Sequence, residues 1–285
     1  MATTAAAAGT ITLGGDLPVH RLGFGAMRIT GRDIWGEPRD PAEARQVLQR
    51  AVALGVNFID TADSYGPEVS ERLIAEALHP YPPGLVIATK GGLVRPSAGR
   101  WDPDCRPGHL RAACEASLKR LRLERIDLYQ LHTVDPNVPL EDSIGELARL
   151  QAEGKIRHIG VSNVNAAQLK RARKLVVVVS VQNRYNVADR SSDAMIAACE
   201  RDRLAFIPWR PLAQGAAETA APHAGLARLA SRRGISLSQA AIAWLLARSP
   251  AILPIPGTSR LAHLEENVAA AAIGLTAQEL RDVGR

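Results

Sequence analysis

The sequence is poor in several features that mark whole classes of protein. Aromatic residues make up only 4% of its 285 residues, and the Lys and Arg residues behind its net charge of +6 are scattered among Asp and Glu. A nucleic-acid-binding surface usually combines clustered basic residues with stacking aromatics, so this pattern argues against one. No apolar run reaches the ~18 residues of a membrane span. We therefore expect neither nucleic acid nor a membrane as a partner.

The three cysteines, Cys105, Cys114 and Cys199, are far apart and form no CxxC pair. Their number and spacing indicate neither a disulfide framework nor a cysteine-based metal site. The span from Asp102 to His109 contains metal-ligand residue types, but their spacing matches no common zinc pattern. The first ten residues lack the basic start of a secretory signal. We expect a protein of the reducing cytoplasm without a bound metal.

What the sequence does contain is a regular alternation of predicted strands and helices. A short hairpin is predicted within residues 10–20, and the chain then alternates strand and helix to its end. The eight predicted strands cover residues 22–27, 56–60, 85–90, 126–131, 156–161, 176–181, 205–208 and 252–255.

Eight such units predict an α/β fold, namely a (β/α)8 TIM barrel with an N-terminal β-hairpin cap. The alternative is an open doubly wound sheet, which should carry a GxGxxG phosphate loop after its first strand. Residues 23–28 lack the third glycine of that motif, which favours the barrel. We predict one domain across residues 1–285, with a frayed start at residues 1–9.

Polar residues stand where several of these strands end. Asp60 and Tyr65 come at and after the end of the second strand, Lys90 ends the third, and His132 follows the fourth. In a barrel, the loops beyond the carboxyl ends of the strands hold the ligand. Each residue also has a structural reading, since Asp60 can cap a helix, Lys90 can lie on the surface and His132 can be a core histidine. Their joint occurrence at strand ends favours a single pocket.

These four side chains suit the protonation of a carbonyl oxygen. The pKa of a phenol such as that of Tyr65 is normally about 10, and a neighbouring Lys90 ammonium is expected to lower it. Asp60 would keep the ammonium charged, and a neutral His132 ring would orient the substrate oxygen. Reduction also needs a hydride donor, and the sequence contains no flavin or metal motif that would supply one.

Several longer motifs point to one family. They are DTADSYG at residues 60–66, ATKGG at 88–92, LYQLH at 128–132, GVSNV at 160–164, VQNRYN at 181–186, PLAQG at 211–215 and IPGTSRLAHLEEN at 255–267. Together they resemble the aldo-keto reductase superfamily over nearly the whole chain. The resemblance implies a metal-free reductase of aldehydes and ketones that uses NADPH, or less often NADH. It further implies Tyr65 as the general acid, Lys90 and Asp60 as its tuning pair, and His132 as the orienting group.

The resemblance also implies a set of cofactor contacts. Ser162, Asn163 and Gln182 match positions that bond the nicotinamide carboxamide, whose donor and acceptor groups their side chains can satisfy. Trp209 matches the ring on which the nicotinamide stacks. Residues 257–259 match the loop around the phosphates. Glu266 and Asn267 match the pair that contacts the adenine. The full set is Gly25, Met27, Ser162, Asn163, Gln182, Trp209, Arg210, Leu212, Gln214, Gly257, Thr258, Ser259, His263, Glu266 and Asn267.

Two positions depart from the family pattern. His263 stands where many relatives have an arginine that binds the 2′-phosphate of NADPH, and an imidazole is a weaker phosphate partner than a guanidinium. Arg260 lies one turn earlier and is placed to replace it. Arg210 stands where relatives often have serine, and it is expected to contact a phosphate or the substrate. NADPH is the expected cofactor, with NADH as the alternative.

The substrate is the least determined part of the prediction. The longest shared stretches resemble a bacterial subgroup that includes pyridoxal reductases, which implies reduction of pyridoxal to pyridoxine. Trp35 and Trp101 lie in the variable loops and are candidate walls of a substrate pocket, although simple packing of these loops on the barrel is an equal alternative. A second function, from another class, is a cofactor-binding redox sensor or regulatory subunit with little turnover. The sequence leaves the oligomeric state open.

Overall fold

The computed structural model describes residues 3–212 and 223–283. The strands are β1 Thr10–Leu13, β2 Leu17–His20, β3 Phe24–Gly25, β4 Phe58–Asp60, β5 Val86–Gly91, β6 Leu93–Val94, β7 Asp102–Pro103, β8 Ile126–Leu131, β9 Ile156–Ser162, β10 Val178–Gln182 and β11 Ala205–Phe206. The α-helices are α1 Pro41–Ala53, α2 Val69–Leu78, α3 Pro107–Leu121, α4 Leu140–Ala152, α5 Ala166–Ala172, α6 Asp193–Asp202, α7 His223–Arg233, α8 Leu237–Arg248, α9 Leu261–Ala269 and α10 Ala277–Val283.

A curled parallel sheet forms the barrel wall, in the order β3, β4, β5, β8, β9, β10, β11. Residues 251–255 take the eighth place. Phe206 N donates to Ala251 O at 2.8 Å, Leu253 N donates to Phe206 O at 2.9 Å, and Gly23 N donates to Pro254 O at 2.9 Å. The segment is thus bonded to both edges of the sheet. The predicted (β/α)8 barrel is confirmed, and the open sheet is excluded.

The eighth predicted strand, residues 252–255, is less regular than expected. It makes a single ladder bridge, between Phe206 and Ile252. Pro254 lies in the middle of the segment, and proline has no N–H to donate to a neighbouring strand. The segment therefore closes the barrel with isolated hydrogen bonds instead of a continuous ladder.

Side chains alternate between the barrel interior and the helices, as the period of a strand requires. In β4, Phe58 belongs to the interior apolar cluster, and Ile59 packs in the cluster beneath the helices. The predicted N-terminal hairpin is present, and its Leu13 and Val19 join the interior cluster. The hairpin therefore closes the amino-terminal end of the barrel with apolar side chains. Polar interior residues are left for the opposite end.

The chain start differs from the prediction. Residues Ala5–Ala8 form a short 3₁₀ helix, Ala5 is fully buried, and its N–H donates to Leu54 O at 2.9 Å. The frayed start predicted for residues 1–9 is therefore wrong for residues 3–9, because a small alanine fits closely against the end of α1. A second difference concerns the sixth predicted strand, at residues 176–181. Val177 is 74% exposed, because β10 begins only at Val178.

Gly160 shows how the interior makes room for polar side chains. Its register partners are Gln130 on β8 and Ser180 on β10. A Cβ at this position would lie 2.8 Å from Gln130 Cγ and would also clash with Ser180 Oγ. Gln130 can therefore cross the barrel only because residue 160 has no side chain.

The variant Gly160→Ala should lower the free energy of unfolding by about 1–3 kcal/mol, because an added methyl group in a packed interior forces its neighbours to move. Urea unfolding measures this change. Gly145→Ala in α4 is the matched control, since a Cβ there meets nothing within 4 Å. Alanine is the better helix former by roughly 1 kcal/mol, so the control should be neutral or stabilised. Equal stabilities of the two variants would contradict the packing argument.

Candidate active site

The four predicted catalytic residues meet at the carboxyl end of the barrel. Lys90 Nζ donates to Asp60 Oδ1 at 2.5 Å and to Thr61 O at 2.8 Å, and it lies 3.4 Å from the Tyr65 hydroxyl. The His132 and Tyr65 rings meet edge to face with centroids 5.8 Å apart. All four side chains are buried. The structure therefore brings together residues that lie up to about 70 positions apart in the chain, as the strand-end pattern predicted.

Asp60 is the centre of a larger hydrogen-bond network. Its second carboxylate oxygen, Oδ2, accepts from Gln130 Nε2 at 3.0 Å and from Gln182 Nε2 at 2.9 Å. Burial works against the charge of Lys90, but the contacts with Asp60 and Tyr65 outweigh it, and the pKa of Lys90 is raised. The ammonium therefore stays charged, as predicted for this pair.

Gln130 is a member of this network that the sequence reasoning missed. It lies two positions before His132 on β8, and its register partner is Lys90. A side chain on the interior face of a strand at the barrel mouth points toward the same pocket as its register partner. The isolated glutamine within the apolar strand IDLYQL was the available signal.

The pKa of Tyr65 departs from the prediction. Burial raises it above the ordinary value, Lys90 lowers it, and the Asp60 carboxylate opposes Lys90. Lys90 thus acts in the predicted direction, but burial outweighs it, and the net shift of the Tyr65 pKa is upward. Because Asp60 and Lys90 carry opposite charges, much of the ammonium's effect on the phenol is cancelled. Tyr65 consequently keeps its proton in the pocket, as a proton donor must.

His132 is neutral, as predicted. Burial lowers its pKa well below the ordinary value, and the positive charge of Lys90 adds to this. Ser64 Oγ lies 3.3 Å from His132 Nδ1. With Nδ1 bonded to Ser64, Nε2 is the ring nitrogen through which the imidazole can bond a substrate oxygen.

The residues predicted to bond the carboxamide are neighbours, but their groups already have protein partners. Ser162 Oγ donates to Gln182 O at 2.8 Å. Asn163 Nδ2 donates to His132 O at 3.0 Å, and Asn163 Oδ1 accepts from Trp209 Nε1 at 3.0 Å. Asn163 therefore connects His132, the predicted orienting group, with the predicted stacking ring of Trp209. Its carboxamide contact stays a prediction.

A cleft leads from the catalytic residues across the barrel mouth. At its inner end lie Asp60 and Tyr65, and Trp209, which is half-buried, forms part of its wall. Of the four residues predicted to contact the nicotinamide, Gln182 and Trp209 line this cleft. The lining residues are Gly25, Met27, Arg28, Asp60, Tyr65, Gln182, Trp209, Arg210, Pro211, Leu212, Ile255 and Gly257.

Gly25 and Gly257 lie against each other at the outer part of this cleft. A Cβ on Gly25 would lie 2.6 Å from Ile255 O, and a Cβ on Gly257 would clash with Gly25 O. The two glycines therefore allow β3 and the loop after the eighth strand segment to approach closely, so the cleft floor is made of backbone.

The remaining predicted cofactor contacts lie around α9. Thr258 is buried and its Oγ1 accepts from Arg260 N at 3.1 Å, whereas Ser259, Arg260 and His263 are exposed. Arg28 lines both the cleft and an adjoining depression to which Ser259 and Arg260 contribute.

Further along α9, Glu266 accepts a hydrogen bond from Ser236 Oγ at the start of α8. Asn267 is only 3% exposed. Gln214 lies outside the described residues, so its predicted contact is not placed.

Of the two candidate substrate residues, Trp101 lies against the Tyr65 and His132 rings. Trp101 meets Tyr65 and His132 edge to face, with centroids 6.3 Å and 6.4 Å apart. Trp35 lies further out and is 36% exposed. The guanidinium of Arg95 stacks on Trp101 with its Cζ 3.7 Å from the ring centroid.

Within residues 3–212 and 223–283, no group of three or more His, Cys, Asp or Glu side chains is arranged to hold a metal ion. Within the span from Asp102 to His109, Cys105 Sγ donates to Gly92 O at 3.5 Å. In the same described part of the chain, no helix combines the length and apolar character needed to cross a bilayer.

Comparison with known proteins places this barrel among the oxidoreductases. The chain is 50% identical to an uncharacterized oxidoreductase of Schizosaccharomyces pombe over 277 residues, covering 97% of this chain and 89% of the relative. It is 44% identical to pyridoxine 4-dehydrogenase of Escherichia coli over 277 residues, covering 95% and 96%. The structure of an aldo/keto reductase from Klebsiella pneumoniae in complex with NADP and acetate matches with a TM-score of 0.81 and 25% identity, covering 96% and 93%.

The fold, the site and these relatives define the class of protein as an NAD(P)H-dependent oxidoreductase. The model of the aldo/keto reductase family matches residues 21–284, and the chain belongs to that family. The resemblance seen in the sequence motifs is confirmed.

Asp63 is a half-buried acid beside the site that the sequence reasoning did not single out. Its Oδ1 has no hydrogen-bond partner. Burial, and then the charge of Glu71, raise the pKa of Asp63 to about 8, against the opposing effects of Arg120 and Ser64. In the unfolded chain the pKa of an aspartate is about 4. Between about pH 4 and about pH 8, the folded state therefore keeps a proton that the unfolded chain has lost.

Because the folded pKa of Asp63 is the higher one, its stabilising contribution is complete below about pH 4 and is lost as the pH rises toward 8. Replacement by Asn removes the titration, so Asp63→Asn should flatten the decline in unfolding free energy between pH 5 and pH 9. Urea unfolding at a series of pH values measures this slope. Asp142→Asn, at an exposed position of α4, is the control and should follow the wild type. Parallel curves for Asp63→Asn and wild type would contradict the assignment.

Proposed function

We propose that the chain reduces an aldehyde or ketone to an alcohol with NADPH, and that Tyr65 is the general acid. The observation that carries the proposal is the buried chain of contacts from Asp60 through Lys90 to the Tyr65 hydroxyl, beside a neutral His132. A reduced nicotinamide, when bound, supplies the hydride. The protein's own task is then to hold the carbonyl and to deliver one proton to its oxygen.

The residues divide this task between them. His132 Nε2 orients the carbonyl oxygen, and Tyr65 Oη transfers its proton to that oxygen as negative charge develops there. The phenolate left behind lies beside Lys90 Nζ, 3.4 Å from the hydroxyl oxygen, which stabilises it. Asp60, with Gln130 and Gln182, fixes the position of the ammonium. The groups are in place before reaction, so little reorganisation is required.

The cleft fits a nicotinamide cofactor. It ends at Tyr65, its wall includes the half-buried Trp209 ring, and its floor at Gly25 and Gly257 is made of backbone. In our proposal, Trp209, Ser162 and Gln182 hold the nicotinamide end, and the loop from Gly257 to Ser259 holds the phosphates. The relative in complex with NADP supports the phosphorylated cofactor.

The strength of the NADPH preference depends on His263 and Arg260, both exposed beside the phosphate loop. His263→Arg should tighten NADPH binding several-fold and leave NADH binding unchanged, because a guanidinium is the better partner for a 2′-phosphate. Cofactor fluorescence titrations give both dissociation constants. Ala262→Arg adds the same charge at the neighbouring exposed position and serves as the control. An equal gain for both cofactors, or in the control, would contradict the role of residue 263.

Pyridoxal is the proposed substrate, with pyridoxine as the product. The pyridoxine 4-dehydrogenase relative is 44% identical and matches nearly all of both chains. The Trp101 ring beside Tyr65 and His132 is suited to an aromatic aldehyde.

The variant Tyr65→Phe should lose about 10²–10⁴-fold in kcat for pyridoxal reduction, the usual contribution of a general acid. Its affinity for NADPH should be unchanged, because only one hydroxyl is removed. Tyr81→Phe is the control, since its hydroxyl bonds Leu121 O away from the site. Full activity of Tyr65→Phe would refute the mechanism. Tight NADPH binding by a wild-type protein that reduces no aldehyde of a broad panel would favour the sensor function instead.

A further inference from the structure

Arg95 directly follows β6 and is only 8% exposed. Its Nε donates to Arg100 O at 2.9 Å, and its Nη1 donates to Ile34 O at 2.9 Å and to Ser64 O at 3.4 Å. Its Nη2 donates to Asp33 O at 3.3 Å. Four of the five N–H groups of a guanidinium therefore bond backbone carbonyls. These carbonyls belong to the loops after three different strands of the barrel.

The same guanidinium contacts both tryptophans of the mouth. Its Cζ lies 3.7 Å from the ring centroid of Trp101 and 5.5 Å from that of Trp35. A cation over an aromatic face attracts it and restricts its orientation. Since Trp101 lies edge-on to Tyr65 and His132, Arg95 stands directly behind a ring that contacts the catalytic pocket.

Two residues bonded by Arg95 have an unfavourable backbone conformation. Asp33 and Ile34 have φ angles of 57° and 59°, in the left-handed region that a β-branched residue such as isoleucine rarely adopts. Both of their carbonyls accept hydrogen bonds from Arg95. Trp35 follows immediately in the chain. Arg95 therefore holds the strained turn that sets the position of Trp35.

The charge of Arg95 is not explained by an ion pair. In residues 3–212 and 223–283, no carboxylate forms an ion pair with it, and burial lowers its pKa. An apolar side chain would fill the space at lower cost, because a buried charge without a countercharge is unfavourable. What a guanidinium adds is a rigid planar fork that bonds several carbonyls and stacks on a ring at the same time.

We propose that Arg95 is a positioning residue that holds Trp101 against the catalytic pocket and Trp35 at the barrel mouth, and that it thereby selects planar aromatic carbonyl substrates. The inference rests on the proposed reductase function, and it adds the substrate class and the device that enforces it. Arg95 does not touch the reacting atoms in this arrangement. Its effect reaches the substrate through the tryptophan rings.

The test compares Arg95→Lys with wild type on pyridoxal and on butyraldehyde, a small aliphatic aldehyde. Lysine keeps the positive charge but lacks the planar fork. The KM for pyridoxal should rise about tenfold or more with little change in kcat, since misplaced contacts to the substrate reduce its binding. The KM for butyraldehyde and the NADPH dissociation constant should stay nearly unchanged. Equal losses on both aldehydes would overturn the proposal.

Arg100→Lys is the matched control, because it lies in the same loop with its side chain 65% exposed and paired with Asp102. It should keep the wild-type ratio of the two KM values. Trp101→Leu completes a double-mutant cycle. In that background Arg95→Lys should change the pyridoxal KM far less, because the ring through which it acts is gone. Additive effects would overturn the proposed route through Trp101.

Acrylamide quenching of tryptophan fluorescence tests the arrangement without turnover. Arg95→Lys should increase quenching relative to wild type, and the increase should shrink in the Trp101→Leu background. Unchanged quenching would overturn the proposal. If the wild type reduced neither aldehyde, the proposed function would fail, and the quenching result alone would decide on the role of Arg95.

Discussion

The ion pair between Lys90 and Asp60 is the contact on which the rest of the site depends. Lys90 is fully buried, and an ammonium away from water is tolerated only when oxygens surround it. Removing one member of a buried pair typically costs about 3–5 kcal/mol, because the other is left uncompensated. Here the carboxylate is in turn held by Gln130 and Gln182, so residues from β4, β5, β8 and β10 are tied to one another. The register of the sheet therefore fixes the geometry of the site, and the contacts of the site in turn constrain that register.

That constraint explains why polarity is sorted along the barrel axis. Apolar side chains of the hairpin and the lower strand positions fill one end of the interior, and the buried Asp60–Lys90 ion pair lies at the other. The resulting dry environment acts on both rings of the pocket. It raises the pKa of Tyr65 and lowers that of His132, so both are neutral. A neutral donor and a neutral orienting ring beside a fixed ion pair suit a reaction that creates negative charge on oxygen.

Strand periodicity and strand ends were enough to predict the barrel and to bring Asp60, Tyr65, Lys90 and His132 together. The sequence pattern could not predict the direction in which the Tyr65 pKa shifts, because burial and two opposing charges together determine it. It also could not find Gln130, because a polar residue within a mainly apolar strand is common. The ordered start at Ala5 escaped prediction because its burial depends on contacts with distant segments, including Leu54.

In our proposals, chemistry and selectivity lie on different parts of the molecule. Tyr65 and the residues that support it lie at or just beyond strand ends, in positions dictated by the sheet. The tryptophans lie on loops, and in our proposal a single cation, Arg95, connects those loops through carbonyls at Asp33, Ile34, Ser64 and Arg100. Backbone carbonyls are present whatever the side chains are. The loops can therefore change sequence and the pocket can change shape while the Asp60–Lys90 pair, and with it the reaction, stays as it is.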